Sequence, residues 1–264
     1  MAFYSTDIPK IDIRIPPRVK SISVVLPAHN EEENITKAAL QALDILYKLP
    51  FKEYEVIIID DGSSDDTALK VEKLKADNEH IRLIKHYRNL GYGGSLKSGL
   101  NAASGDLVFF TDADLQFDLN ELPEFIEAIR EYDIVIGYRL KRTEHLIRKF
   151  NAFGWGLLIR LLFGLKFKDI DCAFKLFRRE FLSSIHINSI GPFINSEMLI
   201  RARDGGYRIK ELPVSHYPRR AGKSSGAKPK TIIKAFAELF KLYRQLKQKN
   251  CPQEQSRAYS SYQL

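Results

Sequence analysis

Residues 21–62 read SISVVLPAHNEEENITKAALQALDILYKLPFKEYEVIIIDDG, and this stretch decides the fold. It holds a β-rich run at 21–26, an amphipathic segment at 32–46 and a continuous apolar run at 55–59. In the middle segment Ile35, Ala38, Ala39, Ala42, Ile45 and Leu46 follow the i, i+3, i+4, i+7 spacing of a helix with one buried face. The run EVIII has no alternation, as in a strand covered on both sides. A strand, a helix and a second strand make a parallel pair joined by a right-handed crossover.

The same alternation continues downstream. Helices are expected at 67–74, at 95–103 (stopped by Ser104-Gly105) and at 122–130. Pro123 falls near the first turn of the last of these, where its missing N–H costs little. Strands are expected at 81–85, 106–111 (DLVFFT) and 133–138. The expectation is an α/β fold with a mostly parallel, Rossmann-like sheet and helices on both faces. Ligands of such sheets bind beyond the carboxyl ends of the strands. The chemistry should therefore follow Leu26, Ile59 and Thr111, and the polar residues cluster there.

Beyond Arg139 the pattern weakens. It predicts helices at 145–165, 179–185 and 196–204, and strands at 173–177 and 207–213. A Gly-, Ser- and Lys-rich loop follows at 218–230, then an amphipathic helix at 231–246. The chain divides into an arm (1–20), a single domain (21–248) and a polar tail (249–264) expected to be disordered. Within the domain, the regular alternation of 21–138 is set apart from the weaker pattern of 139–248.

Composition narrows the classes. The chain has 264 residues, 44% hydrophobic and 28% charged, which excludes a disordered polymer. Two cysteines, Cys172 and Cys251, exclude a disulfide framework and a thiolate zinc centre. The start MAFYSTDIPK lacks a basic segment followed by an apolar core, so a cytoplasmic location without a signal peptide is expected. Residues 1–138 carry 15 basic and 24 acidic side chains, whereas residues 139–250 carry 25 basic and 8 acidic. The acidic half suits a metal ion, the basic half phosphates or anionic lipid. No uncharged apolar run reaches the 18 residues of a membrane span. The nearest, FNAFGWGLLIRLLFGLKF at 150–167, holds the only Trp and has basic flanks. It reads equally as an interfacial helix or a core helix.

Three polar turns carry the chemistry: Pro27-Ala28-His29-Asn30-Glu31, Asp60-Asp61-Gly62-Ser63-Ser64-Asp65 and Thr111-Asp112-Ala113-Asp114-Leu115-Gln116. Ser64, Asp65 and Asp66 suit helix capping. Asp112 and Asp114 would repel one another if buried unpaired. A hard divalent cation removes that repulsion, and Gln116 adds a carbonyl oxygen, giving the metal set Asp112, Asp114 and Gln116. Gly91, Gly93 and Gly94 precede a helix but match neither a dinucleotide nor a Walker fingerprint. His86, His145 and His186 show no partner in the sequence and read as structural.

The set PAHNEEENI, IIIDDGSSDDT, RNLGYGGSLKSGL and TDADLQ resembles the glycosyltransferase family 2 catalytic domain, with its GT-A fold. The later pieces DIVIGYR, DIDCAFKLFRREFL, NSEMLIRARDGGYRIKELPV and HYPRRAGKSS look like its dolichyl/polyprenyl-phosphate branch. The resemblance covers about residues 20–245 and implies a nucleotide-sugar and metal part at 21–138 and a C-terminal acceptor and interfacial extension at 139–248. It implies that Pro27, His29 and Glu31 line the nucleobase and ribose and that Asp61 contacts the base or ribose. It likewise implies that Asp112, Ala113, Asp114 and Gln116 meet the metal and diphosphate of a GDP- or UDP-sugar, with Mg²⁺ or Mn²⁺ as cofactor. Arg139 and Arg148 match arginines at an acceptor phosphate. Arg219 and Arg220 fall in a loop that closes over the diphosphate, Arg219 fitting the R-x-x-G spacing better. Asp169 and Asp171 sit where the family has an acidic residue near the acceptor.

The function so implied is inverting transfer of a sugar to a polyprenyl phosphate at the inner face of the membrane, by a peripheral enzyme or one with a membrane-embedded partner. The alternative is a soluble acceptor hydroxyl, with Asp171 as base and Glu197 second. Many relatives carry C-terminal membrane helices; this chain shows no such apolar run. A nucleotidyltransferase would need a Gly- and Lys-rich loop after the first strand, where PAHNEEEN is acidic. Nucleic acid is not an expected partner, because the aromatics of 150–167 cluster with Leu and Ile rather than with Lys and Arg on a sheet.

Overall fold

In a computed structural model, which describes residues 10–140, 146–219, 221 and 229–249, the apolar runs become seven strands. They are β1 (Ser21–Ala28), β2 (Glu53–Asp60), β3 (Ile81–Lys85), β4 (Leu107–Thr111), β5 (Ile134–Arg139), β6 (Phe174–Arg178) and β7 (Ile209–Val214). The helices are α1 (Ile35–Lys48), α2 (Thr67–Asp77), α3 (Tyr92–Ala102), α4 (Leu122–Ala128), α5 (Leu146–Phe163), α6 (Arg179–Ser184), α7 (Ile194–Asp204) and α8 (Pro229–Lys249). The side chains of 146–153, 229–232 and 248–249 lie outside the described set, as do the tail from residue 250 and most of the 218–230 loop.

The strands form one sheet in the order β3-β2-β1-β4-β6-β5-β7. Every pairing is parallel except those of β6, which runs antiparallel to both β4 and β5. Helices cover both faces, as the sequence predicted. The first half of the sheet grows outward from β1 through β2 to β3, and the second half starts from β4 on the other side. The crevice at such a reversal is where an α/β sheet takes its ligand.

The predicted stripe of α1 is buried in full, with Leu43 added. Residues 56–59 of β2 and 107–110 of β4 are completely enclosed, consistent with strands covered on both faces. An aromatic cluster ties β4, β6 and α4 together: Phe174 packs at 4.7 Å from Phe109 and 4.8 Å from Phe125, both edge-on. Each such buried ring contributes about 1.5–3 kcal/mol. Glycine fixes the start of α3, because a Cβ on Gly93 would lie 2.2 Å from the carbonyl oxygen of Gly191. The glycine-rich loop thus closes the fold against residues 190–191.

The apolar segment at 150–167 resolves into two faces. Ile159 and Phe163 are buried, and Trp155 stands edge-on to Phe193 and Phe236. On the other side Leu157 is 45% and Leu161 74% exposed. The Trp155–Phe236 and Phe163–Tyr243 contacts lay α8 beside α5, and α8 adds the exposed Ile233, Phe236 and Phe240. Among the described residues no helix is long and apolar enough to cross a membrane.

Candidate active site

The turns after β1, β2 and β4 meet at one end of the sheet. Pro27 and Ala28 close β1, and Ala28 pairs with Asp60 of β2. Asn30 takes a left-handed backbone (φ 55°), rare for a residue with a side chain. Its N–H donates to Ser63 Oγ at 2.9 Å, and its Oδ1 accepts from the Ser64 N–H at 2.8 Å. His29 Nδ1 lies 3.0 Å from the Asp61 carbonyl oxygen, so its ring braces one turn against the next.

Asp61 is 3% exposed and its carboxylate is already occupied. Oδ1 accepts from the Leu90 N–H at 2.9 Å and meets His86 Nδ1 at 2.7 Å; Oδ2 accepts from the Gly91 N–H at 2.9 Å. His86 is therefore partnered after all, with Ser98 Oγ at 2.9 Å from its other nitrogen. Asp61 organises the loop ahead of α3, and a ligand base or ribose would share an oxygen that this loop holds. Capping of α2 is also shifted by one residue. Asp65 accepts from Thr67 N–H and Oγ1, while Asp66 at the N-cap makes no side-chain cap bond.

After β4 the chain turns sharply, with Leu115 at φ 61°. Such strain in a residue with a side chain tends to collect at functional turns. It brings the Gln116 N–H to 3.2 Å from Asp114 Oδ1. The Gln116 side-chain NH₂ donates to the Tyr217 carbonyl at 2.8 Å, which leaves its own carbonyl oxygen as the acceptor end. Tyr217 N–H returns a bond to the Gln116 carbonyl at 2.8 Å. The segment after β7 is thereby stitched to the β4 turn. It delivers Arg219, whose Nη1 stands 3.7 Å from Asp114 Oδ2 and whose Nη2 donates to Glu31. Arg220 lies outside the described residues.

Burial and the Asp114 charge push the Asp112 carboxyl up to about 8, against the opposing pull of Lys175 and Arg139. Burial raises Asp114 too, and Arg219 holds it back. Two acids that resist ionisation beside each other are the mark of a place where positive charge is wanted. Their carboxylates and the Gln116 carbonyl would offer only oxygen donors, the kind that suits Mg²⁺ or Mn²⁺. Among the described residues no group of three His, Cys, Asp or Glu could hold a metal. A cation here would therefore take further oxygens from its ligand, the mode Mg²⁺ favours.

Beyond β5 and β6 lies a second charged cluster. Arg139 grips Asp169 with both edges of its fork, Nε to Oδ2 at 2.7 Å and Nη2 to Oδ1 at 3.0 Å. The arginine expected at an acceptor phosphate thus shares its donors with a buried carboxylate. Lys175 is fully enclosed on β6, donating to the Cys172 carbonyl and, at 3.3 Å, to Asn195 Oδ1. Burial pulls its ammonium below the usual range, while Asp171 and Asp169 help to keep it charged. The sequence reading missed Lys175. A lysine between Phe174 and Leu176 in a buried strand, FKLFR, is the signal that was there to find.

Glu197, the second base considered above, is differently placed. Its carboxylate is 1% exposed and accepts from Asn188 N–H, Ser189 N–H and the Arg201 fork. Burial would raise its pKa, but these donors outweigh it and hold the group below its ordinary value. Its oxygens are thus taken up by fixed donors, the setting of a structural acid. Arg148 lies in α5, and its side chain falls outside the described set.

The chain is 34% identical over 209 residues to the glycosyltransferase AglD of Haloferax volcanii, covering 75% of this chain and 33% of that protein. It thus spans about a third of that relative's length. Among solved structures it resembles glucosyl-3-phosphoglycerate synthase of Mycobacterium tuberculosis in complex with Mg²⁺ and UDP. That match has a TM-score of 0.60 at 22% identity, covering 77% of this chain and 73% of that one. The same synthase with Mn²⁺ and UDP-glucose matches at a TM-score of 0.61 and 23% identity, over 83% and 78% of the two chains. At these identities the likeness concerns the fold, which is that of the GT-A enzymes. The model of glycosyl transferase family 2 matches residues 23–185, from β1 through the turns after β1, β2 and β4 to the end of α6, and the chain belongs to that family.

Proposed function

We propose that this chain is an inverting glycosyltransferase that moves a sugar from a GDP- or UDP-sugar to a polyprenyl phosphate at a membrane surface. One observation carries the reading. The paired acids Asp112 and Asp114 follow β4 at the switch point of the sheet with Arg219 3.7 Å from Asp114, and the Arg139–Asp169 pair stands at the end of β5, separated from β4 by β6. That is a diphosphate-binding end beside a phosphate-binding end. The solved synthase binds Mg²⁺ or Mn²⁺ with UDP, which supports the same donor chemistry here.

A divalent ion held by Asp112, Asp114 and the Gln116 carbonyl would supply positive charge to the departing diphosphate. Arg219 adds charge-assisted hydrogen bonds to the same oxygens. Pro27, His29, Glu31 and Asp61 form the wall for the nucleoside. The acceptor oxygen attacks from the opposite face, which inverts the anomeric centre. A phosphate acceptor is already ionised and needs no base; Arg139 and Arg148 orient it. Arg139 exchanges one of its Asp169 bonds for a phosphate oxygen. Ala113, fully enclosed between the acids, keeps the turn close to the donor.

The exposed Leu157, Leu161, Ile233, Phe236 and Phe240 support peripheral attachment to the inner face of a membrane, directly or through an embedded partner. Apolar side chains on adjoining helices within the basic half suit an anionic lipid surface. The second reading is a soluble acceptor hydroxyl, favoured by the occupied fork of Arg139; Asp171 is then the base.

The test is release of nucleoside diphosphate from a panel of GDP- and UDP-sugars, with Mg²⁺ or Mn²⁺, against polyprenyl phosphates and free sugars. Turnover that requires the lipid phosphate is the expected result. Turnover with sugar hydroxyls alone would establish the second reading, and no turnover with any donor would overturn both.

A further inference from the structure

Arg219 is held from three directions. Nη2 donates to Glu31 Oε1, Nε donates to the Ala221 carbonyl at 2.7 Å, and Nη1 stands 3.7 Å from Asp114 Oδ2. Glu31 is itself fixed, because its Oε2 accepts from Asn34 Nδ2 at 2.8 Å. The same amide group donates to the Ala221 carbonyl at 3.3 Å. Asn34, Glu31, Arg219 and the Ala221 carbonyl therefore form a closed ring of hydrogen bonds between the β1 turn and the segment after β7. Asn34 is 2% and Glu31 9% exposed, so the β1 side of this ring is buried, while the Arg219 side chain is 20% exposed.

The ring has an electrostatic consequence. A planar, permanently charged guanidinium cannot turn away from Asp114 without giving up its bond to Glu31 or Ala221. Asp114 Oδ2 is also an oxygen that a divalent cation would take. Two cations drawn to one carboxylate oppose each other.

Resting on the donor reading above, we infer that Glu31 and Asn34 are positioning residues that hold Arg219 against Asp114, so that Arg219 and the divalent ion compete for that carboxylate until a diphosphate draws the guanidinium away. The ion alone then binds weakly, and ion and nucleotide strengthen one another's binding reciprocally. Glu31 acts here through Arg219, in addition to lining the nucleoside wall.

The test is binding of Mn²⁺ to the full chain, read from the electron paramagnetic resonance of free Mn²⁺, with and without UDP or GDP. In the unaltered chain the nucleotide should tighten Mn²⁺ binding by about fivefold or more, the scale of an ordinary coupling. Asn34→Ala, which changes no charge, should tighten binding of Mn²⁺ alone. Arg219→Gln should tighten it further and remove most of the nucleotide's effect. Glu31→Gln should tighten binding of Mn²⁺ alone in the unaltered background, where Arg219 loses the carboxylate that holds it against Asp114 and keeps only the Ala221 carbonyl, and should not tighten it in the Arg219→Gln background. Melting curves confirm that each variant is folded. An equal effect of Glu31→Gln in both backgrounds, or no tightening in Asn34→Ala and Arg219→Gln, would overturn this inference while leaving the donor reading intact. Mn²⁺ binding indifferent to both nucleotides in the unaltered chain would remove the donor reading and this inference with it.

Discussion

Replacing Glu197 separates a structural acid from a catalytic one. The carboxylate is 1% exposed, and it accepts from Asn188 N–H (3.0 and 3.1 Å), Ser189 N–H (2.7 Å) and both edges of the Arg201 fork (2.8 and 2.6 Å). Glu197→Ala leaves two backbone donors and a guanidinium without their acceptor. Breaking a buried pair in this way costs about 3–5 kcal/mol. For a chain of this size each kcal/mol lowers the melting temperature by about 2–4 °C, so the loss should be about 6–20 °C. Glu197→Gln keeps the shape and one acceptor oxygen and should lose about 1.5–3 kcal/mol, the worth of hydrogen bonds to a charged group. The assay is a thermal melt of each variant beside its transfer rate per folded molecule. The folded fraction should keep its rate within a few-fold. A melting temperature that stays put, with a rate lowered by about 10²–10⁴ as for a lost general base, would refute the assignment.

Other perturbations probe the remaining parts. Asp114→Asn should leave the fold intact and abolish metal-dependent turnover; unchanged turnover would remove Asp114 from the metal set. Asp112 has a raised pKa, about 8, in the folded chain, so the native state binds its proton more tightly than the unfolded chain does. Its contribution to stability should fall as pH rises from about 4 to about 8 in metal-free buffer. Asp112→Asn should flatten that decline, and identical pH profiles for both proteins would contradict the assignment. Burial pushes the Cys172 thiol up to about 12, so mass spectrometry should find it unmodified by iodoacetamide at pH 8 in the native chain. Rapid labelling there would mean that β6 opens readily. Leu161→Glu with Phe240→Glu should reduce co-sedimentation with anionic vesicles by about tenfold or more, since each places a charge on exposed apolar surface. Unchanged sedimentation would argue against attachment through α5 and α8.

The first five strands and their crossovers were legible because local pattern decides them. A stripe such as that of α1, or a run such as VIII in β2, has one stable use in a covered sheet. The place of β6 was not legible. Residues 174–178 announce a strand, but the insertion of that strand antiparallel between β4 and β5 depends on pairings 39 to 71 residues away along the chain, from Ile136↔Lys175 to Leu107↔Arg178. The same limit applied to the site. The acids at 112 and 114 could be found from their position after a strand, as could the turns at 27–31 and 60–65. Which partner each charged group takes could not, because the Arg139–Asp169, Asp61–His86 and Glu31–Arg219 pairs join distant segments. Lys175 was overlooked for a related reason. A charged residue inside an apolar run reads as an interruption until the fold shows the acids around it.

The central claim is that the acidic pair at the end of β4 binds a nucleotide diphosphate through a divalent ion. A crystal structure of the chain soaked with Mn²⁺ and UDP or GDP, with anomalous data collected for manganese, tests it directly. The account predicts one strong anomalous peak within coordinating distance of Asp114 and of the diphosphate oxygens, with Arg219 moved from Glu31 onto the nucleotide. An ordered nucleotide with no manganese at Asp112 and Asp114, or manganese bound elsewhere, would contradict it.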